Sequence, residues 1–312
     1  MSTSGIAFVF PGQGSQSVGM LEDYFSKEKQ FNYVFDVSRE VLGTDFKDLI
    51  LNGSPEDLSS TVTTQPLMLT ANNAIWESLE LDVQDVTVMA GHSLGEISAY
   101  VAAKTFTFED ALELVSARAK FMQEAVPEGE GAIAAIIGLT FNELESICVS
   151  ISDENSVVEL ANINSLNQIV ISGTKGAVDL ALQRCSEVGA KRTLLLPMSV
   201  PAHCALMKPA SERFKEVLNS VKMQEPKCNV IQNVDASSSN NIDIISENLI
   251  SQIYSPVRWE EIMNSFSKLS IRNCIECGPG KVLSGLIKRS IIDASVISLD
   301  NYESFQNKED FL

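Results

Sequence analysis

Two kinds of apolar pattern alternate along the first third of the chain. Ile6-Ala-Phe-Val-Phe10 and Val86-Thr-Val-Met-Ala90 are short apolar runs, the mark of strands covered on both faces. Between them Phe31, Val34, Phe35, Val41 and Leu42 recur at helical spacing and stop at Gly43. Ser54-Pro55 reads as an N-cap with proline at the first helical position, and Gln65–Leu79 as a helix leading to the second strand. Glu96–Ala103 reads as a helix directly after that strand. Thr107 caps another over Phe108–Ala125, with Glu109 and Asp110 in its first turn.

After Pro127-Glu-Gly-Glu-Gly131 the pattern changes. Ala132–Leu139 reads as a strand, Asn142–Ile151 as a helix, and Val157–Ile163 and Gln168–Ser172 as strands. Ala177–Val188 then reads as a helix and Arg192–Leu196 as a strand. That order, β-α-β-β-α-β, is ferredoxin-like. Residues 127–199 are therefore expected to form a subdomain inserted into a larger unit made of 1–126 and 200–312. In the returning segment Phe214, Val217, Leu218 and Val221 make a helical stripe, and Asn229–Val234, Cys274–Cys277 and Ser295–Leu299 are strand candidates. Strand–helix alternation on both sides of the insertion predicts an α/β fold with a doubly wound, mostly parallel sheet.

Composition narrows the function. The chain has 312 residues, 45% of them hydrophobic, enough for a sizeable core. A net charge of −18 argues against nucleic-acid binding through the overall field. The longest apolar stretch, Ala132 to Leu139, is too short to cross a membrane, and Met-Ser-Thr-Ser-Gly has no basic leader region. A soluble, cytoplasmic monomer is expected. Six cysteines have no framework spacing. Cys274-Ile-Glu-Cys277 has no second pair or histidine nearby, and on a strand its thiols point to opposite faces, so no metal site is expected.

The candidate chemistry lies at strand ends. Gly91-His-Ser-Leu-Gly95, between strand and helix, has the form of a nucleophile elbow, with Ser93 held out near the helix's positive end. Pro11-Gly-Gln-Gly-Ser-Gln-Ser-Val-Gly19 follows the first strand, but Ser17 stands where a dinucleotide loop needs its third glycine. A serine needs a base, and the chain has two histidines. His92 adjoins Ser93 and is expected to pack beneath the elbow. His203, in a proline-bounded loop, follows the serine in the order of the α/β hydrolases. Cys204 as nucleophile would have to use its own neighbour, whose side chain diverges. Asp235 and Glu276 are both possible orienters of His203. Arg118, in line with Ala111, Leu114 and Phe121, reads either as a snorkelling or ion-paired side chain or as a clamp for a carboxylate.

Four motifs in order carry a resemblance. Phe8-Val-Phe-Pro-Gly-Gln-Gly-Ser-Gln16, Gly91-His-Ser-Leu-Gly-Glu96, Ser199-Val-Pro-Ala-His203 and Glu276-Cys-Gly-Pro-Gly-Lys281 make the chain similar, nearly end to end, to bacterial malonyl-CoA:acyl carrier protein transacylases. The resemblance implies a hydrolase-like catalytic domain with a ferredoxin-like subdomain and no cofactor. It also implies malonyl transfer from coenzyme A to the phosphopantetheine thiol of acyl carrier protein, supplying fatty acid synthesis. By the same resemblance Ser93 is the acylated nucleophile and His203 the base, with the Gln13 and Leu94 amides forming the oxyanion hole. Arg118 falls where the family grips the malonyl carboxylate. Gln252, in Ser251-Gln-Ile-Tyr-Ser-Pro256, matches the residue whose main-chain carbonyl orients the histidine.

One loop departs from the family pattern. Ser165-Leu166-Asn167 breaks the usual Asn-Ser-Pro-Gly-Gln, so no role is carried onto Asn162 or Asn164. A carrier protein is expected to be acidic, as this chain is, so docking is expected on a local basic patch: Lys281, Lys288, Arg289, Lys191 and Arg192. The rival readings are an esterase or thioesterase, an idle acyl-CoA-binding module, and an acyltransferase of polyketide assembly.

Overall fold

The computed structural model describes residues 5–198 and 200–312. Ser199 and the Met1–Ser4 stretch read for a leader lie outside the described residues.

The strands are β1 (Ile6–Phe10), β2 (Val88–Gly91), β3 (Gly131–Ile137), β4 (Val158–Ser165), β5 (Gln168–Thr174), β6 (Arg192–Leu195), β7 (Val230–Ile231), β8 (Asn273–Glu276) and β9 (Ser295–Ser298). They form two sheets. The larger runs β7-β2-β1-β8-β9 with every ladder parallel. Successive residues of a strand face opposite sides, and here both sides are core. Phe8, Phe10 and Met89 join one apolar cluster with helices Lys29–Leu42, Thr61–Ser78, Leu94–Ala102 and Phe108–Glu124. Ala7, Val9, Val88 and Ala90 join the other, against helices Trp259–Lys268 and Val282–Ser290. Cys274 and Cys277 are free thiols in opposite clusters, as the strand period requires.

The smaller sheet, β4-β5-β3-β6, is antiparallel, with helices Phe141–Ile151 and Lys175–Glu187 packed against it. This is the expected βαββαβ order. Backbone ties run from it to the large unit: the Ile163 N–H donates to the Val257 carbonyl at 2.8 Å, and the Val257 N–H to Ala161 at 2.9 Å.

Two elements differ most from the sequence reading. The helix expected from Gln65 begins at Thr61. There the Thr64 hydroxyl donates to the Leu58 and Ser60 carbonyls, giving the turn ahead of Pro66 side-chain support that periodicity does not register. The strand expected over Asn229–Val234 is only Val230–Ile231. Beyond it the Gln232 N–H turns to Ser237, and Asn233 spends its polar groups on the elbow.

Candidate active site

The elbow follows from close packing. A Cβ on Gly91 would overlap the Gly95 carbonyl, and one on Gly95 would overlap the Phe10 carbonyl, so strand and helix meet only through glycines. Ser93, between them, takes φ 53° and ψ −112°, a strained conformation for a residue with a side chain. Asn233 holds that turn: its Oδ1 accepts the Ser93 N–H at 2.8 Å and its Nδ2 donates to the Gly91 carbonyl at 2.7 Å. With the Ser93 amide so occupied, the next one, on Leu94, opens the helix without an acceptor among the described residues. The Gly12–Gln13 turn lies against the elbow, since a Cβ on Gly12 would meet the His92 carbonyl. The Gln13 side chain is anchored on the Thr61 hydroxyl at 3.2 Å.

The structure brings His203 to Ser93. Its Nε2 lies 2.8 Å from Ser93 Oγ, and its Nδ1 lies 2.7 Å from the Gln252 main-chain carbonyl. A carbonyl only accepts, so Nδ1 carries the proton and Nε2 offers its lone pair to the serine hydroxyl. Neither Asp235 nor Glu276 orients the ring. Glu276 accepts the Leu283 and Ser284 amides of a helix start, and Asp235 accepts from Ser237 and Asn248. His203 itself has φ 64°. Its loop is pinned from the smaller sheet, where the Ser172 hydroxyl donates to the Ala202 carbonyl at 2.7 Å and Glu159 accepts the Ala205 N–H at 2.8 Å. Burial and the Arg118 charge push the imidazole down to about 3, so it is neutral at physiological pH.

Arg118 is 1% exposed, and the snorkelling reading does not hold. Its guanidinium donates to Gln65 Oε1 at 2.6 Å, Gln252 Oε1 at 3.0 Å and Ser93 Oγ at 3.3 Å. Among the described residues no carboxylate lies within ion-pair distance of it. Burial lowers it to about 10, which leaves it cationic.

His92 is not packed beneath the elbow. It lines the cleft, with Nε2 2.9 Å from Asn164 Oδ1 and its ring 5.4 Å from that of Trp259. The cleft of about 520 Å³ between the two sheets takes in Ser93, Arg118, His203, Asn162 and Asn164.

Sequence reasoning missed Gln65, Asn233, Glu96 and Asn164 as site residues. The available signal was polarity in the wrong place: Gln65 within a buried helix, Gln232-Asn233 at the end of a strand, and Glu96 one turn into an apolar helix. Of the basic residues, Arg289 donates to Gln168 Oε1 at 3.3 Å. Gln168 and Arg192 both pair with Ile137, so Arg289 and Arg192 flank one strip of the smaller sheet. Lys281 is drawn instead to Asp300, 3.4 Å away.

Comparison with known proteins places this geometry. The model of the acyl transferase domain matches residues 7–298. The malonyl CoA-acyl carrier protein transacylase of Haemophilus influenzae is 44% identical over 98% of each chain. That of Bacillus subtilis is 43% identical, covering 97% of this chain and 96% of its own. Among solved structures, the transacylase of Coxiella burnetii superposes with a TM-score of 0.95 at 42% identity, over 99% of this chain and 98% of that one. A malonyl-transacylase solved in complex with the acyl-carrier protein of a type II polyketide system gives 0.94 at 40% identity, over 97% of this chain and 98% of that one. The chain belongs to the acyl transferase domain family and, within it, to the malonyl CoA-acyl carrier protein transacylases.

Proposed function

We propose that this protein moves a malonyl group from malonyl-CoA to the phosphopantetheine thiol of acyl carrier protein, through an ester on Ser93, to supply fatty acid synthesis in the cytoplasm. The observation that carries the reading is the pair of contacts on one hydroxyl. Ser93 Oγ meets the lone pair of His203 at 2.8 Å and a buried guanidinium, free of carboxylate partners among the described residues, at 3.3 Å. A base and an anion receptor on the same nucleophile suit an acyl group that carries a second carboxylate.

His203 Nε2 takes the Ser93 proton as Oγ attacks the thioester carbonyl. The Gln13 and Leu94 amides hold the oxyanion, each worth roughly 2–4 kcal/mol in the transition state. The C–S bond breaks, the coenzyme A sulfur takes the proton back from His203, and malonate remains as an ester on Ser93. The carrier protein's thiol then gives its proton to His203 and attacks the ester. Ser93 leaves with that proton, and the site is restored. The steps are ping-pong and use only this chain's own groups. The inserted lobe, proposed as 127–199, contributes one wall of the cleft through Ile133, Asn162, Gln168 and Val170, and the catalytic unit is proposed as 1–126 with 200–312. The main-chain orienter of His203 and the arginine in the cleft favour this reading over a hydrolase.

Mass analysis after mixing with malonyl-CoA tests it. A persistent malonyl adduct is expected, absent in Ser93→Ala and strongly reduced in Arg118→Ala. Free malonate released at catalytic rates, with no adduct, would make the protein a hydrolase.

A further inference from the structure

Glu96 stands one turn into the elbow helix with 0% exposure. Its Oε2 accepts from Gln252 Nε2 at 2.7 Å and from the Asn233 N–H at 3.1 Å, while its Oε1 has no partner among the described residues. One turn further on, the buried hydroxyl of Tyr100 is also without one. A carboxyl this deep costs several kcal/mol if ionised and unpaired. Packing does not explain it, since an apolar side chain would fill the same place.

Its partner explains it. The Gln252 side-chain amide has one accepting end and one donating end, and the two do different work. The accepting Oε1 holds Arg118 at 3.0 Å. The donating Nε2 lies between Glu96 Oε2 and the Ser93 carbonyl, at 2.7 and 2.9 Å. Turned over, the amide would point its NH₂ at the guanidinium, donor against donor, and the arginine would lose one of the two oxygens that fix its plane beside Ser93. The Ser93 carbonyl already accepts the Glu96 N–H at 3.0 Å. Asn233 Oδ1 is a third acceptor, at 3.5 Å, so Glu96 is the nearest of the three that decide the orientation.

We propose that Glu96 is a positioning residue: by fixing the Gln252 amide it holds Arg118 in place to receive the second carboxylate of the acyl group, and so sets the preference for a diacid over a monoacid cargo. The inference rests on the transacylase reading. Burial pushes the Glu96 carboxyl up to about 8, so near neutrality it is largely protonated and leaves the guanidinium's charge for the substrate. A glutamine in its place retains an oxygen that accepts the same two N–H groups.

The test is single-turnover loading of the full-length protein with malonyl-CoA and, separately, acetyl-CoA, read by mass. Glu96→Ala is expected to slow malonyl loading roughly tenfold or more, the scale of a buried donor left unpaired, and acetyl loading much less. Glu96→Gln is expected to restore most of the malonyl preference. Equal losses on both acyl groups, or a glutamine variant as poor as alanine, would overturn the proposal. Should the alanine variant fail to fold, Glu96→Asp withdraws the oxygen by one methylene. It is expected to lower the malonyl-to-acetyl ratio, and an unchanged ratio counts against the idea. A wild-type protein that never acquires a malonyl adduct overturns the transacylase reading instead.

Discussion

At the scale of single residues, the site depends on donors and acceptors being assigned one way round. His203 is useful because a carbonyl, not a carboxylate, faces its Nδ1: the ring is oriented and its tautomer fixed, yet no negative charge raises its basicity. Burial and Arg118 act in the same direction and carry its pKa from 6.5 to about 3. The neutral base therefore survives as pH falls through 6.5 and is lost only toward the lower value. The rate of Ser93 acetylation is expected to hold to below about pH 5. In Arg118→Ala, where the second cause is gone, the acid limb should move up toward the ordinary histidine range. A wild-type limb near 6.5 would show that the imidazole is better solvated than its 3% exposure implies.

Among the elements, two carry more of the site than their sequence suggests. Helix Thr61–Ser78 is buried on nearly every face, and two of its polar residues, Gln65 and Asn72, tie one part of the site to another. Gln65 holds Arg118, and Asn72 Nδ2 donates to the Pro11 carbonyl at 2.9 Å and to Ser98 at 3.0 Å, joining the Gln13 turn to the elbow helix. Strand β5 reaches the histidine loop through Ser172. Removing that hydroxyl in Ser172→Ala should cost only about 1 kcal/mol of stability in denaturant unfolding. It should slow transfer by several-fold, because the loop that holds His203 at positive φ loses its anchor; Ser172→Thr should recover the rate. Full activity in the alanine variant would mean that Glu159 and the Ile253 carbonyl suffice. The pattern of apolar residues made each of these elements legible, with boundaries off by a few residues at Thr61 and at β7. It could not show what their polar residues meet, because Gln65 and Arg118 are 53 positions apart in sequence.

For the whole molecule, a charge of −18 makes the approach of an acidic carrier protein unfavourable except where the surface is locally basic. Arg289, held on the cleft-lining Gln168, and Arg192, in the row beside it, flank one strip of the smaller sheet, with Lys288 next to Arg289 on the same helix end. Reversing Lys288 and Arg289 to glutamate is expected to raise the apparent KM for carrier protein roughly tenfold and to steepen its rise with salt. The malonyl-CoA half-reaction should be unchanged. An unaltered KM would move the docking face elsewhere. Lys281, turned to Asp300, should contribute least.

The sequence by itself determined most of the strands, the βαββαβ order of the smaller sheet, the elbow and the choice of His203. These rest on local periodicity, on glycines at a turn that tolerates nothing larger, and on there being only two histidines to choose from. Only the tertiary structure decided that Arg118 lies buried against Ser93, that His92 faces the cleft, and that neither Asp235 nor Glu276 orients the base. It alone joined Glu96, Asn233 and Gln252, on segments as much as 156 residues apart, into one hydrogen-bonded cluster. The reason is physical: spacing along a chain fixes which face of an element a side chain takes, whereas the partner of a buried polar group is fixed by which elements pack together.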